Sequence, residues 1–107
     1  MPTIAMARKA PPDDYLIETL MPDLVGHDRA PSAFLVYLKL WHAAGGPERS
    51  LQTSLSTLAV ETGLSKSSVQ AALRHLRRRK YVTSRRNAPT AIPTYAVHAP
   101  WRGRERT

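Results

Sequence analysis

The stretch from Lys66 to Arg79 carries side chains whose types and spacing suit the recognition of nucleic-acid bases. On an α-helix, at about 100° per residue, its apolar residues fall in one narrow sector and polar residues occupy the opposite sector. The apolar sector contains Val69, Ala72, Leu73 and Leu76, and the opposite sector contains Ser67, Gln70, Ala71, Arg74 and Arg78. Arginine can form two hydrogen bonds with guanine, glutamine can do the same with adenine, and serine adapts to either. The pattern therefore predicts a helix that is fixed to the protein by one face and can bind a nucleic acid with the other.

Positive charge is concentrated in the same part of the chain. The 107 residues carry a net charge of +8, from 16 Lys and Arg against 8 Asp and Glu. From residue 66 to the end, eleven Lys and Arg stand against Glu105 alone, which gives +10. Residues 10 to 65 carry three Lys and Arg against seven acids, which gives −4. A chain polarised in this way presents one strongly positive surface, which favours a polyanion as its partner.

Two helices are predicted on either side of a very short break, "GLS". Ser54 is placed to cap the first helix, and Gly63 ends it by supplying a positive φ that other residues tolerate poorly. Ser65 is placed to cap the second helix, which is the stretch that begins at Lys66. A tight turn of this kind projects the second helix from a small core, where it can enter the major groove of DNA.

An earlier helix is predicted over "AFLVYLKLWHAAGG", with Ser32 at its N-cap and glycines at its end. One apolar stripe would suffice for a core, but Leu35, Val36 and Leu40 place apolar side chains on the other faces as well. A helix of this composition is buried on more than one side. The sequence is equally consistent with two elements that could bury the additional apolar faces: the N-terminal segment of the same chain, or a second subunit.

The N-terminal part of the chain is expected to be less regular. Residues 1–12 contain three prolines and no periodic pattern, which predicts a flexible arm. Within residues 13–30, "DDYLIETL" predicts a short helix that Pro22 interrupts, followed by a linker. A strand or an irregular segment that pairs with another chain also fits these residues, so this region is a candidate dimer contact.

A β-hairpin is predicted after the basic helix. Its strands are "YVTSRR" and "PTYAVHA", and the loop between them contains Pro89 and is closed by Pro93. A further short strand is predicted at "SLQTS", before the second helix. Residues 100–107 are expected to form an extended basic tail that Trp101 pins to the surface.

The stretch "SLSTLAVETGLSKSSVQAALRHLRRRKYV" resembles the winged helix-turn-helix DNA-binding domains of bacterial and phage transcriptional regulators and replication initiators. The positions that match the family pattern are Leu58, Ala59, Gly63, Leu64, Ser65, Val69, Ala72, Leu73, Leu76, Tyr81 and Val82. The likeness covers about residues 31 to 97. It implies a mainly α fold with a small β-hairpin, in which a three-helix core and a wing form one domain over residues 31–99, with an additional N-terminal segment.

The resemblance also implies where DNA would lie. Helix 66–79 would occupy the major groove, and the wing, residues 82–98, would contact the backbone or the minor groove. The residues expected at DNA are Ser65, Lys66, Ser67, Ser68, Gln70, Ala71, Arg74, Arg77, Arg78, Arg85 and Arg86. Arg79 lies towards the side of the helix and is the weakest candidate among the cations there. Lys80 stands where many relatives have glycine, so the exit from the helix is either looser or contains an unusual backbone conformation.

Several function classes are disfavoured by what the sequence lacks. It contains no paired-carboxylate motif, no phosphate-cradling glycine loop and no serine with a recognisable base partner, so we expect no enzyme. It has no cysteine, and its four histidines lack the spacing of a zinc site, so we expect no metal and no cofactor. It also lacks an apolar run of membrane-spanning length, and no small-molecule site is evident.

The hypothesis that fits best is a sequence-specific double-stranded DNA-binding protein that acts as a transcriptional regulator. We expect a homodimer in the cytoplasm, associated with the nucleoid. Three alternatives remain: a winged adaptor that binds protein through the first helix, a DNA-binding module of plasmid or phage replication initiation, and an RNA-binding protein. A protein adaptor has no need to exclude acids from Lys66 to Pro100, and a serine-rich helix start favours duplex DNA over RNA.

Overall fold

The computed structural model describes residues 9–105, with side chains for residues 9–102. An N-terminal helical segment comprises the π-helical turns Leu16–Leu20 and Pro22–His27. The elements that follow are α1 Pro31–Ala44, β1 Arg49–Gln52, α2 Leu55–Thr62, α3 Lys66–Arg78, β2 Val82–Arg85, β3 Thr94–Val97 and α4 Pro100–Glu105. Most of the predicted flexible arm, residues 1–8, lies outside the described residues.

The break between α2 and α3 is built by the residues that the sequence indicated. The Ser54 hydroxyl accepts a hydrogen bond from the Thr57 N–H at 3.1 Å, which caps α2. Gly63 ends α2 in the left-handed conformation, with φ 82°. The Ser65 hydroxyl then accepts from the Ser68 N–H at 3.1 Å, which caps α3. The predicted pair of helices with a tight turn is thus confirmed.

The predicted hairpin is confirmed, and β1 joins it. The three strands form an antiparallel sheet in the order β1-β3-β2. Arg49 and Val82 both lie opposite Val97 at one end of the sheet, and Gln52 and Arg85 both lie opposite Thr94 at the end next to the hairpin tip. The first strand begins one residue earlier than expected and ends at Gln52.

The expectation that Pro22 interrupts the N-terminal helix is wrong. Helical turns continue from Asp14 to His27, and most of them are π-helical. The N–H of Met21 binds the Leu16 carbonyl, five residues earlier. A proline ring normally clashes with the carbonyl four residues before it, and the wider turn moves that carbonyl away from the ring.

The chain's own N-terminal segment supplies the extra covering of α1. Leu16, Leu20 and Leu24 are at most 1% exposed and belong to the same core cluster as α1, against which Pro22–His27 packs. Val36 and Leu40, which fell outside the apolar stripe, are completely buried. These two side chains are thus buried within one chain, where α2 and α3 pack against α1 as well as the N-terminal segment.

The ends of the described chain are more ordered than expected. Residues 100–105 form the helix α4 and not an extended tail, while residues 106–107 lie outside the described part. Trp101 is 7% exposed, and its ring stacks on Tyr15 at 4.5 Å between centroids and on Trp41 at 6.1 Å. The Trp41 indole N–H donates to the Pro11 carbonyl at 3.0 Å, which holds the last residues of the predicted arm. Burial of the large indole area explains why this end folds back.

Candidate nucleic-acid interface

The two faces of α3 are divided as the periodicity predicted. Val69, Ala72, Leu73 and Leu76 are at most 3% exposed and belong to the core. The structure places the following candidates on the surface: Ser65, Lys66, Ser67, Gln70, Ala71, Arg74, Arg77 and Arg78. Ser68, the remaining candidate on this helix, is half-buried. The helix therefore exposes one polar face, with hydroxyls and an amide at its start and guanidinium groups towards its end.

The hydroxyls at the start of α3 are partly engaged with one another. The Ser65 hydroxyl caps the helix and also lies 3.0 Å from the Ser68 hydroxyl, to which it donates. The Ser67 hydroxyl lies 3.2 Å from that of Ser65. These contacts fix the first turn of α3, so that Ser67 and Gln70 are presented in a defined orientation.

Arg79 turns away from the exposed face of α3. Its guanidinium pairs with the carboxylate of Asp28 and with that of Asp23, where Nη2 and Oδ2 are 3.0 Å apart. It also lies 5.4 Å from the centre of the Tyr81 ring. The sequence indicated Arg79 as the weakest DNA candidate among these cations. The structure supplies a reason, because the charge of Arg79 is neutralised within the protein.

Asp28 is the centre of this network. His75 Nε2 lies 2.8 Å from its Oδ2 atom, and the Nη2 atom of Arg78 lies 3.3 Å from His75 Nδ1. If Arg78 donates to Nδ1, then the neutral imidazole donates from Nε2 to the carboxylate. Burial alone would raise the pKa of Asp28, but hydrogen bonds from His75 and His27 and the positive charge of Arg79 hold that pKa below its ordinary value. His75 itself is half-buried.

The exit from α3 has the unusual backbone conformation that the sequence allowed. Lys80 has a φ of 65°, in the left-handed region that normally favours glycine. Its N–H donates to the Arg77 carbonyl at 3.0 Å, and the Tyr81 N–H donates to the Leu76 carbonyl at 2.9 Å. These bonds close the helix and turn the chain directly into β2.

The hairpin tip carries the two wing candidates, Arg85 and Arg86, and both are exposed. The Arg86 guanidinium donates to the Pro89 carbonyl at 3.0 Å, which ties it to the loop. The Gln52 side chain donates to the Ile92 carbonyl at 3.2 Å and joins β1 to the same loop. The tip is thus braced from two sides, with Ile92 half exposed beside the arginines.

A groove that the sequence did not indicate lies between α3 and the loop before α1. It has a volume of about 390 Å³, and Arg29, Arg74 and Arg78 all line it. Arg29 was missed because it lies in the acidic part of the sequence, far from the basic helix. The only local signal was the turn-like string "HDRAP".

One group of side chains has the ligand types of a metal site. Asp23, His27 and Asp28 each bring one ligand atom, and these atoms lie within 4.8 Å of one another. Both carboxylates also bind Arg79. Because both carboxylates already accept hydrogen bonds from the Arg79 guanidinium, we assign the group to ion pairing between the N-terminal part of the chain and the end of α3.

None of the helices in residues 9–105 has the length and apolar character needed to cross a lipid bilayer. Residues 30–82 match the model of a family described as a helix-turn-helix domain. No curated protein and no solved structure gives a significant match to the chain. The matched region contains α1, α2 and α3, and the antiparallel sheet supplies the wing. Residues 30–82 therefore form a domain of the helix-turn-helix family, and together with the sheet they have the winged helix-turn-helix fold.

Proposed function

We propose that the protein binds double-stranded DNA in a sequence-specific manner and acts as a bacterial transcriptional regulator. In this proposal α3 lies in the major groove, and the wing contacts the adjacent backbone or the minor groove. The protein acts by binding and not by catalysis, and its DNA-bound location is the nucleoid.

The observation that carries the proposal is the exposed face of α3. Gln70 and Arg74 are one helical turn apart on this face, and both can form paired hydrogen bonds with bases. Ala71 is exposed beside them and is small enough to permit close approach to the thymine methyl group. The buried face belongs to the core, so contact with DNA would not require α3 to leave the protein.

The positions of the exposed arginines support a role in phosphate contacts that is separate from base reading. Arg77 and Arg78 are exposed at the end of α3, and Arg85 and Arg86 are exposed at the hairpin tip. The β2 strand follows α3 and packs against it, so the two pairs belong to one rigid unit. Phosphate contacts from such positions would fix the orientation of the protein, while residues nearer the start of α3 read bases.

The aromatic residues favour duplex DNA over single-stranded nucleic acid. Proteins that bind single strands stack bases on exposed aromatic rings. Here Tyr37, Trp41, Tyr81 and Trp101 pack against one another, and Tyr95 on the sheet is 3% exposed. Tyr37, Trp41, Tyr95 and Trp101 are buried in the core and Tyr81 packs against it, so these rings are used for stability and not as an exposed stacking platform.

We also propose that the protein is a homodimer, because one small domain offers a limited area to DNA. Two copies would read half-sites about 34 Å apart. Fewer apolar side chains are available for a dimer contact than the sequence indicated, because Val36 and Leu40 are buried within the single chain. What remains is Leu35, which is 45% exposed on α1, beside a shallow groove of about 290 Å³ that Leu38 also lines.

Selection from random duplex DNA tests the proposal directly. Sequence-specific binding predicts that one motif is enriched and that its affinity exceeds that of a scrambled duplex by roughly 10³-fold or more. The affinity of the scrambled duplex should fall steeply with salt, because that binding consists of phosphate contacts. Enrichment of no motif, with no affinity for any duplex at low ionic strength, would overturn the proposal.

A further inference from the structure

We propose that Arg29, in the loop before α1, is an additional phosphate-binding residue of the DNA interface. The proposal rests on the proposed function, because the ligand of Arg29 is the backbone of the same duplex that α3 would read. It extends the interface to the N-terminal side of the matched helix-turn-helix region, which begins at residue 30.

The groove brings together three guanidinium-bearing residues from two parts of the chain. Arg74 and Arg78 come from α3, and Arg29 comes from the loop before α1. Like charges in one groove repel each other, so an anion bound by Arg29 and Arg78, next to the base-reading Arg74, would be favoured. Guanidinium groups match phosphate oxygens in geometry as well as in charge, and phosphate is the anion that a DNA-binding surface meets.

The backbone at Arg29 is held in place on both sides. The Asp28 N–H donates to the Asp23 carbonyl at 2.8 Å, and the Ala30 N–H donates to the Leu24 carbonyl at 2.8 Å. Between them Arg29 has a φ of 54°, a conformation that a non-glycine residue adopts only when its surroundings impose it. The loop therefore presents the Arg29 side chain at a fixed place on the surface.

The charge of Arg29 is available for a partner outside the protein. Arg29 is exposed, and among residues 9–102 no carboxylate lies within 4.0 Å of its guanidinium. Asp28, the acid that lines the groove, has a side chain that is only 8% exposed and pairs with Arg79 and His75. The groove is consequently positive in spite of this acid.

Two other features of the groove suit an anion. Pro31 and Ser32, in the first turn of α1, line it, and no side chain caps this end of the 14-residue helix. The positive end of the helix dipole therefore adds to the charge of the arginines. Arg74 also belongs to the exposed face of α3, so a phosphate in the groove would be part of the strand that flanks α3.

The test compares wild-type protein with Arg29→Ala and Arg49→Ala by fluorescence anisotropy on several duplexes. Arg49 is an exposed matched control at the end of β1 away from the hairpin tip. We expect Arg29→Ala to weaken binding to every duplex by roughly tenfold and to lower the slope of log affinity against log salt by about 0.9. Arg49→Ala should change affinity by less than about twofold.

One further variant and the wild-type control define the outcome. Arg29→Lys keeps the charge, so its salt slope should equal that of the wild type. If Arg29→Ala binds as the wild type or as Arg49→Ala does, the role of Arg29 is overturned while the proposed function stands. If the wild type binds no duplex, the proposed function itself fails.

The same assay distinguishes a backbone phosphate from a small anion. Inorganic phosphate at matched ionic strength should not displace the duplex from wild-type protein. Displacement that disappears in Arg29→Ala would overturn the proposal in favour of a site for free phosphate.

Discussion

His75 Nε2 and Asp28 Oδ2 are 2.8 Å apart, and this contact joins the last turn of α3 to the loop before α1. The same carboxylate binds Arg79, the C-cap residue of α3, so two residues one helical turn apart hold the loop. The N-terminal segment and α3 are thereby connected by charge as well as by apolar packing.

We expect Asp28→Asn to lower the free energy of unfolding by about 1–2 kcal/mol at neutral pH. The expected loss of stability is small because the Arg79 side chain is 35% exposed and solvent screens its ion pair with Asp28. Chemical denaturation by urea, followed by circular dichroism, measures the loss. Asp14→Asn, on an exposed residue of the same segment, is the matched control and should change stability by less than about 0.5 kcal/mol.

Asp28 should also contribute to acid denaturation. Its folded pKa lies below the ordinary value of 3.8, so its contribution to stability is present above that value and is lost as pH falls through the folded pKa. Asp28→Asn should therefore lose less stability than the wild type over this acidic range. An identical loss in both proteins would contradict the role given to this carboxylate.

Arg74 and Arg85 should differ in kind when each is replaced by alanine. Arg74→Ala is expected to cost about 1–3 kcal/mol on a selected site and to reduce the preference for it, because a base contact is lost. Arg85→Ala should weaken selected and scrambled duplexes alike and lower the salt slope by about one. Titrations of both duplexes at several salt concentrations separate the two effects, and equal behaviour would refute the division into base-reading and backbone residues.

Substitution by aspartate should have different effects on the two faces of α3. Leu73→Asp puts a charge into the core, where the side chain is 2% exposed, and should unfold the domain. Ala71→Asp puts the same charge on the exposed face and should leave the fold intact while it abolishes binding to DNA. Circular dichroism reports the fold and anisotropy reports binding. A folded Leu73→Asp protein would show that this face is not the core face.

Trp101 should stabilise the domain through area and not through hydrogen bonding. Within the described chain its buried indole N–H has no acceptor. We expect Trp101→Ala to cost about 3–4 kcal/mol, whereas Trp101→Phe, which keeps a ring against Tyr15 and Trp41, should cost less than half as much. Urea denaturation compares them, and equal losses would mean that ring stacking is not the source of the stability.

The homodimer is tested by sedimentation velocity at micromolar concentration. Leu35→Glu should shift the protein towards monomer, because the charge would lie in the proposed contact. Val60→Glu is a control on α2, at a side chain that is already 82% exposed. A wild-type protein that is monomeric both with and without DNA would remove the dimer from the proposal.

Periodicity and capping residues were sufficient to predict α3, its two faces and the turn before it, because these features depend on neighbours three or four residues apart. The network of Asp28 and Arg79 was not predictable, since 51 residues separate the two along the chain. Arg29 was missed for the same reason. The position of Arg29 beside Arg74 and Arg78 results from the folding of an acidic segment against a basic helix, and no local sequence pattern encodes this folding.

The N-terminal segment shows a different limit. The sequence predicts that Pro22 interrupts the helix, because the wider π-helical turn that accommodates this proline leaves no signature in the sequence. The longer helix packs against α1. Whether Val36 and Leu40 are buried within the chain or by a second subunit could be decided only with the three-dimensional arrangement.

The consecutive cations Arg77, Arg78, Arg79 and Lys80 are chemically alike but not interchangeable. Arg79 is neutralised within the protein, Lys80 shapes the bend into β2, and the two that precede them face outwards. The formal charge of these four residues therefore overstates the number of counterions that a duplex would release when the protein binds it. An alanine scan across these residues should give defects of association at Arg77 and Arg78 and a defect of folding at Arg79, and a tally of basic residues would miss that change.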